Sequence, residues 1–209
     1  MFITLEGPDG SGKTSQIDPL VKYLEQQDFH VVPTREPGGT DIGDQVRKVI
    51  MDLRNKAMHP STEILLFQSS RAQLVNEVIR PSLVEGKVVL CDRYADSTIA
   101  YQGYGHQVNL KELQAIIQFA TGGLKPDLTI FLDITAEVGL QRNQKSGKWN
   151  RLDDYDLAFH ERVYKGYQTM MAEDPERWVV VDGTQPPEKV QEDMRRAILE
   201  RLAQKVKSA

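Results

Sequence analysis

Gly7-Pro8-Asp9-Gly10-Ser11-Gly12-Lys13-Thr14 decides the reading of this chain. The octet fits G-x-x-x-x-G-K-[ST]. It lies between the strand-like run Phe2-Ile3-Thr4-Leu5 and a helical pattern with Ile17, Leu20, Val21 and Leu24 at i, i+3, i+4 and i+7. Each residue type has a task there. Glycines let backbone N–H groups turn inward around phosphate oxygens, and the helix N-terminus adds partial positive charge. Lys13 supplies a point charge for the outer phosphates, and Thr14 offers a hydroxyl to Mg²⁺. A chance match somewhere in a chain this long has a probability on the order of 1%. The sequence therefore predicts binding of a nucleoside triphosphate.

Outward from the octet, short β-rich runs alternate with amphipathic stretches. The further strands are expected at His30-Val31-Val32-Pro33, Lys87-Val88-Val89-Leu90-Cys91, Leu128-Thr129-Ile130-Phe131-Leu132 and Trp178-Val179-Val180-Val181. Several are apolar on consecutive residues, which suits strands covered on both faces. Leu110, Leu113, Ile117 and Ala120 mark a helix opened by Asn109 and Glu112 and stopped by Gly122-Gly123. A last helix follows Pro186-Pro187 and buries Val190, Met194, Ile198 and Leu202. The alternation predicts an α/β, doubly wound, parallel fold in one domain over 1–209. Pro19 falls inside the first helix, where a bend or compensation by Ser15 or water is expected.

The chain has 209 residues, 26 basic and 30 acidic, for a net charge of −4, which argues against a protein built to coat nucleic acid. At 40% hydrophobic and 27% charged it reads as folded rather than disordered. No apolar run approaches the roughly 18 residues of a membrane span. The first strand begins at Phe2, leaving no room for a signal peptide. The single cysteine, Cys91, is expected in a core strand and cannot form an internal disulfide. His30, His59, His106 and His160 show no metal spacing. A cytoplasmic location is the expectation.

The kind of P-loop protein follows from what accompanies the octet. A guanine-reading Asn-Lys-x-Asp is absent, since Asn55-Lys56-Ala57-Met58 lacks the acid. The strand ending Leu90-Cys91-Asp92 is followed by Arg93 rather than a second acid. A cation beside a magnesium carboxylate favours a small anionic phosphoryl acceptor. Phe67 and Arg71 lie four apart after Ser61-Thr62-Glu63 and share one helical face. On an arbitrary helix such a pair is more often core and surface. In a pyrimidine pocket it would be a stacking ring and a forked donor.

Taken together, these residues resemble the thymidylate kinases of bacterial type. The matching segments are Leu5 to Thr14, Thr34-Arg35-Glu36-Pro37-Gly38-Gly39-Thr40, Asp92-Arg93-Tyr94, Ser97 to Gly103, Pro126-Asp127-Leu128 and Asn150-Arg151-Leu152-Asp153. The resemblance implies the P-loop kinase fold with a five-stranded parallel sheet and a mobile basic lid at about 142–152. It also implies a homodimer and transfer of the ATP γ-phosphoryl group to dTMP.

It further implies roles. Gly7 to Thr14 hold ATP, with Arg142 flanking its adenine. Thr14 and Asp92 serve Mg²⁺, partly through water. Phe67 stacks on thymine, Arg71 donates to its O4, and Thr98 and Gln102 contact the base. Asp9 accepts from the 3′-hydroxyl, and Tyr101 fills the space of a ribose 2′-hydroxyl. Arg93 and Arg47 grip the acceptor phosphate, and Glu36 and Pro37 shape its pocket. Because Gly10 stands where some family members carry a basic P-loop residue, the lid must supply charge from Lys145, Lys148 and Arg151. The acceptor phosphate, with a second pKa near 6, needs no general base, so alignment and neutralisation suffice. The alternatives are a kinase for another nucleotide or a deoxynucleoside, and a P-loop switch module without turnover.

Overall fold

The computed structural model describes residues 1–147 and 149–207. Its strands are β1 (Phe2–Glu6), β2 (Val31–Arg35), β3 (Val88–Asp92), β4 (Leu128–Asp133) and β5 (Trp178–Asp182). All pair in parallel, in the order β2-β3-β1-β4-β5. Each begins within a residue of its predicted position and runs one or two residues further, to a charged residue at the carboxyl edge. The helices are α1 (Lys13–Glu25), α2 (Asp41–Met51), α3 (Pro60–Leu74), α4 (Arg80–Val84), α5 (Ala95–Thr98), α6 (Leu110–Thr121), α7 (Ala136–Ser146), α8 (Leu157–Glu173) and α9 (Pro187–Lys207). Two π-helical stretches, Val75–Ile79 and Ile99–Gly105, and a 3₁₀ turn, Arg151–Asp154, complete the described elements.

Strand periodicity divides the core between two layers of helices. Ile3, Leu5, Val88, Leu90, Leu128, Ile130 and Leu132 face α1 and α9, where Leu20, Leu24, Val190, Met194 and Ile198 bury. The intervening residues point the other way. Phe2, Val89 and Cys91 meet Leu74, Val75 and Ile79, while Phe131 meets Tyr101, Phe159, Val163 and Tyr167. Both faces of the central strands are covered, which is why their sequences are unbroken apolar runs. Leu202 is only partly buried against this core.

Local signals explain the helix ends. Asn109 accepts from the backbone N–H of Lys111 and Glu112, and Gly122 closes α6 in a left-handed conformation. Helix α1 continues through Pro19. The Ser15 hydroxyl donates to the Gly12 carbonyl, so it does not replace the N–H missing at Pro19. Ser15 is exposed, and water can satisfy its carbonyl. No described helix is long and apolar enough to cross a membrane.

Candidate active site

A cavity of about 690 Å³ opens at the carboxyl edge of β1 and β3, where open α/β sheets receive ligands. The P-loop forms its floor. Lys13 is buried, and its ammonium donates to the carbonyls of Gly7 (3.0 Å) and Pro8 (2.8 Å) and to Ser11 Oγ (3.1 Å). Burial and, after it, the Arg93 charge lower its pKa to about 8. Gly10 has φ +77°, and a Cβ there would sit 2.2 Å from the Gly139 carbonyl of α7. No side chain fits at Gly10 while α7 stays in place.

Thr14 Oγ1 donates to Asp92 Oδ2 at 2.6 Å, joining the first turn of α1 to the end of β3. Both residues line the cavity. One carboxylate and one hydroxyl suit Mg²⁺, which keeps most of its waters. Among the described residues no group of three or more His, Cys, Asp or Glu is arranged to hold a metal by itself.

The acceptor side is denser in hydrogen bonds than the sequence suggested. Arg93 takes a left-handed backbone (φ +69°) immediately after β3 and turns back over the strand ends. Its guanidinium donates to Asp9 Oδ1 (2.7 Å), the Tyr101 hydroxyl (3.2 Å), the Gly7 carbonyl (3.0 Å), Ser97 Oγ (3.1 Å) and the Tyr167 hydroxyl (3.3 Å). Tyr101 donates to Asp9 Oδ2 at 2.6 Å. Burial opposes ionisation of Asp9, but Arg93 and Lys13 outweigh it and hold the carboxyl at about 2. Beneath lies Glu6, fully buried at the end of β1, which accepts from Ser97, Tyr167 and the Tyr94 N–H. Desolvation, with Asp96 adding to it, raises its pKa to about 7.

Arg71 is 1% exposed. Its five N–H groups are all engaged: Nε (2.8 Å) and Nη2 (2.5 Å) on Glu36 Oε2, Nη2 also on the Tyr94 carbonyl, and Nη1 on Gln68 Oε1 (2.8 Å) and Thr98 Oγ1 (3.0 Å). Burial raises the Glu36 carboxyl, opposed by Arg71. Phe67 stands half-buried on the same helix.

The cavity brings together every residue expected at the acceptor: Asp9, Glu36, Pro37, Arg47, Phe67, Arg71, Arg93, Thr98, Tyr101 and Gln102. It also takes in Gly10, Gly12, Lys13, Thr14, Asp92 and Arg142. Arg47 Nη1 donates to the Pro37 carbonyl at 2.7 Å, and Arg142 Nη1 to that of Gly183 at 2.9 Å. Gly7, Pro8 and Ser11 lie behind the lining and contribute through the bonds to Lys13. Lys145 sits exposed in the last turn of α7, away from the lining. Lys148 lies outside the described residues.

Arg151, expected among the lid cations, is buried at 4% exposure beside the cavity rather than on its wall. It donates to Glu63 Oε2 (2.5 Å), the Ile50 carbonyl (2.8 Å) and the Tyr155 hydroxyl (3.1 Å). Within the segment expected as a lid, α7 extends to Ser146 and the 3₁₀ turn starts at Arg151. Asp133, at the end of β4, accepts from the Tyr164 hydroxyl. Arg35, Tyr94 and Ser97 also line the cavity; all three sit inside or beside the motifs quoted above, and only their placement distinguishes them.

Asp153 adds a measurable consequence. Desolvation and then the Asp9 charge raise its carboxyl to about 6, against hydrogen bonds from Asn150. A raised carboxyl supports folding when protonated, so its contribution is complete below about 3.8 and is lost as pH rises through about 6. Asp153→Asn, neutral throughout, is expected to match the parent's thermal midpoint near pH 4. At pH 7.5 it should exceed it by about 5–10 °C. A difference constant across that range would refute the assignment.

The thymidylate kinase family model matches residues 5–194. The chain is 50% identical over 206 residues to the thymidylate kinase of Roseiflexus sp. (strain RS-1), covering 93% of this chain and 91% of that protein. It is 47% identical over 204 residues to that of Exiguobacterium sp. (strain ATCC BAA-1283 / AT1b), covering 98% and 96%. The crystal structure of thymidylate kinase from Ehrlichia chaffeensis superimposes with a TM-score of 0.77 at 31% identity, covering 95% of this chain and 98% of that one.

Proposed function

The chain belongs to the thymidylate kinase family, and from that premise we propose how its own residues carry the reaction. It is a phosphotransferase that moves the ATP γ-phosphoryl group to dTMP, giving dTDP. The observation that carries the residue assignment is the single cavity in which the P-loop and ten acceptor-side residues converge.

In this reading the P-loop backbone and Lys13 hold the ATP phosphates, and Arg142 flanks the adenine. Thr14 and Asp92 are the residues for Mg²⁺, which when bound neutralises charge on the phosphate oxygens. Phe67 stacks on thymine. Arg71 reads O4 through Nη1, the end whose present acceptors are neutral, by exchanging Thr98 or Gln68. Asp9 accepts from the 3′-hydroxyl while Tyr101 occupies the 2′ side. Arg93 grips the acceptor phosphate with Arg47, and Glu36 and Pro37 set the height of the pocket. Arg151, Lys145 and Lys148 remain the lid cations, Arg151 contributing its charge from beside the cavity while it stays paired with Glu63. Both phosphates are anionic, so no residue need accept a proton, and the protein's work is alignment and charge neutralisation.

We also propose a single domain over 1–209 with its lid at about 142–152, a cytoplasmic site of action where its nucleotide substrates are found, and a homodimer. Helices α2 and α3 leave Ile42, Val49 and Leu65 exposed, a face suited to a second copy.

The deciding experiment is an assay of the purified protein with Mg·ATP across the common nucleoside monophosphates. dTMP should be turned over in preference to dCMP, dGMP, dAMP and UMP. Equal turnover of UMP and dTMP would refute the role of Tyr101. For the base, Arg71→Ala paired with Glu36→Gln, which avoids a lone buried carboxylate, is expected to reduce the dTMP-over-dCMP preference by about 10- to 100-fold. An unchanged preference would remove Arg71 from base recognition.

A further inference from the structure

Glu63 lies in the first turn of α3 with no exposed surface, outside the cavity lining and without a role in the scheme above. Its carboxylate nevertheless joins three elements. Oε1 accepts from Gln102 Nε2 (2.7 Å) and His106 Nε2 (3.2 Å) of and beside the π-helical stretch. Oε2 accepts from Arg151 (2.5 Å) and the Tyr155 hydroxyl (3.3 Å) at the base of the lid. An ionised carboxylate accepts and cannot donate, so the Gln102 amide must turn its nitrogen toward Glu63. Gln102 lines the cavity, and its carbonyl oxygen, which takes no hydrogen bond from the described residues, is the acceptor this orientation leaves for a ligand, beside the second N–H of the amide. With donors from the lid gripping the second oxygen, the carboxylate cannot rotate away.

We propose that Glu63 is a specificity-determining positioning residue that fixes the Gln102 amide with its carbonyl toward the acceptor base. The pocket thereby offers an acceptor to the imide N3–H of a thymine- or uracil-type ring. Cytosine has no hydrogen on N3 and would set two acceptors against each other. The inference rests on the reading that Gln102 contacts the base of dTMP, and it adds the residue that determines which end of the amide is presented.

Glu63→Gln tests it. A glutamine can donate as well as accept, so the Gln102 amide is free to flip. The ratio of kcat/KM for dTMP to that for dCMP should fall about tenfold, with the KM for ATP within twofold of the parent. A residue that only supported the fold would lower both substrates alike, and an unchanged ratio overturns the proposal. If Glu63→Gln does not fold, the double change Glu63→Gln and Arg151→Met, which removes charge from both ends of the pair, carries the same test against Arg151→Met alone. Gln102→Met must show the same loss of ratio, and Glu63→Gln added to it must have no further effect. A parent enzyme that prefers another nucleotide would instead refute the functional reading, leaving a distinct signature.

Discussion

Lys13→Met is expected to lower kcat by about 10³-fold or more while leaving the thermal midpoint unchanged or higher. Methionine keeps the apolar stem and removes the ammonium, so the difference isolates the charge. In the folded chain that charge is costly: burial and Arg93 bring the Lys13 pKa from 10.5 down to about 8. A depressed lysine destabilises the fold at every pH where it stays protonated, and the penalty fades only as pH rises through about 8 toward 10.5. Tertiary structure thus holds a cation whose burial lowers the stability of the fold, its hydrogen bonds to Gly7, Pro8 and Ser11 notwithstanding. In the proposed role catalysis would gain much, because polyphosphate charge developing in a water-poor cavity would be neutralised by a group already in position. The same shift predicts that kcat/KM for ATP in the parent declines above about pH 8, as the unliganded enzyme loses this proton. Steady-state rates with dTMP and Mg·ATP, beside thermal melts, decide the matter. A kcat within tenfold of the parent, or a marked drop in midpoint, would remove Lys13 from its catalytic role.

The distribution of what could be read in advance has a physical basis. Sequence-local features were legible: the octet, the apolar runs of β1, β3 and β4, and the Asn109 cap act within a few residues of themselves. Strand ends were less so. Glu6, Asp92 and Asp133 continue their strands as paired backbone, but a charged side chain breaks the apolar run that marks a strand. Strand order was not legible, because β3 between β2 and β1 is a matter of packing and not of neighbouring sequence. The ten acceptor residues were named together by resemblance, and they line one cavity. The buried ion pairs escaped entirely. Glu36 with Arg71 and Glu63 with Arg151 stand 35 and 88 residues apart, and an isolated Glu or Arg in sequence reads as solvated surface until its partner is placed. This is why Arg151 was expected in the lid and is found in the interior.

Arg93 offers the sharpest test of the acceptor side. Arg93→Lys retains a positive charge and should still lower kcat/KM for dTMP by about 10²- to 10³-fold. The left-handed backbone at this position strains lysine and arginine alike, so backbone strain cancels in the comparison. What differs is the fork. The guanidinium spans Asp9, Tyr101, Ser97, Tyr167 and the Gly7 carbonyl at once, a spread that a single ammonium cannot reproduce. Arg93 thereby fixes Asp9, and in the proposed reading, where Asp9 accepts from the 3′-hydroxyl and Arg93 grips the phosphate of the same nucleotide, sugar and phosphate would be located against one plane. Lysine could satisfy one of these and leave the other adrift by an ångström or more, which in-line transfer does not tolerate. The KM for ATP should change little, since Lys13 and the P-loop are untouched. Arg93→Met should be worse than Arg93→Lys, because it removes the charge as well as the fork and frees Asp9 to rise from about 2 toward an ordinary carboxyl. Equal losses in the two variants would mean that shape alone matters. Full activity in Arg93→Lys would mean that the acceptor phosphate is held by another residue, and Arg47, on the same cavity wall, would be the one to test.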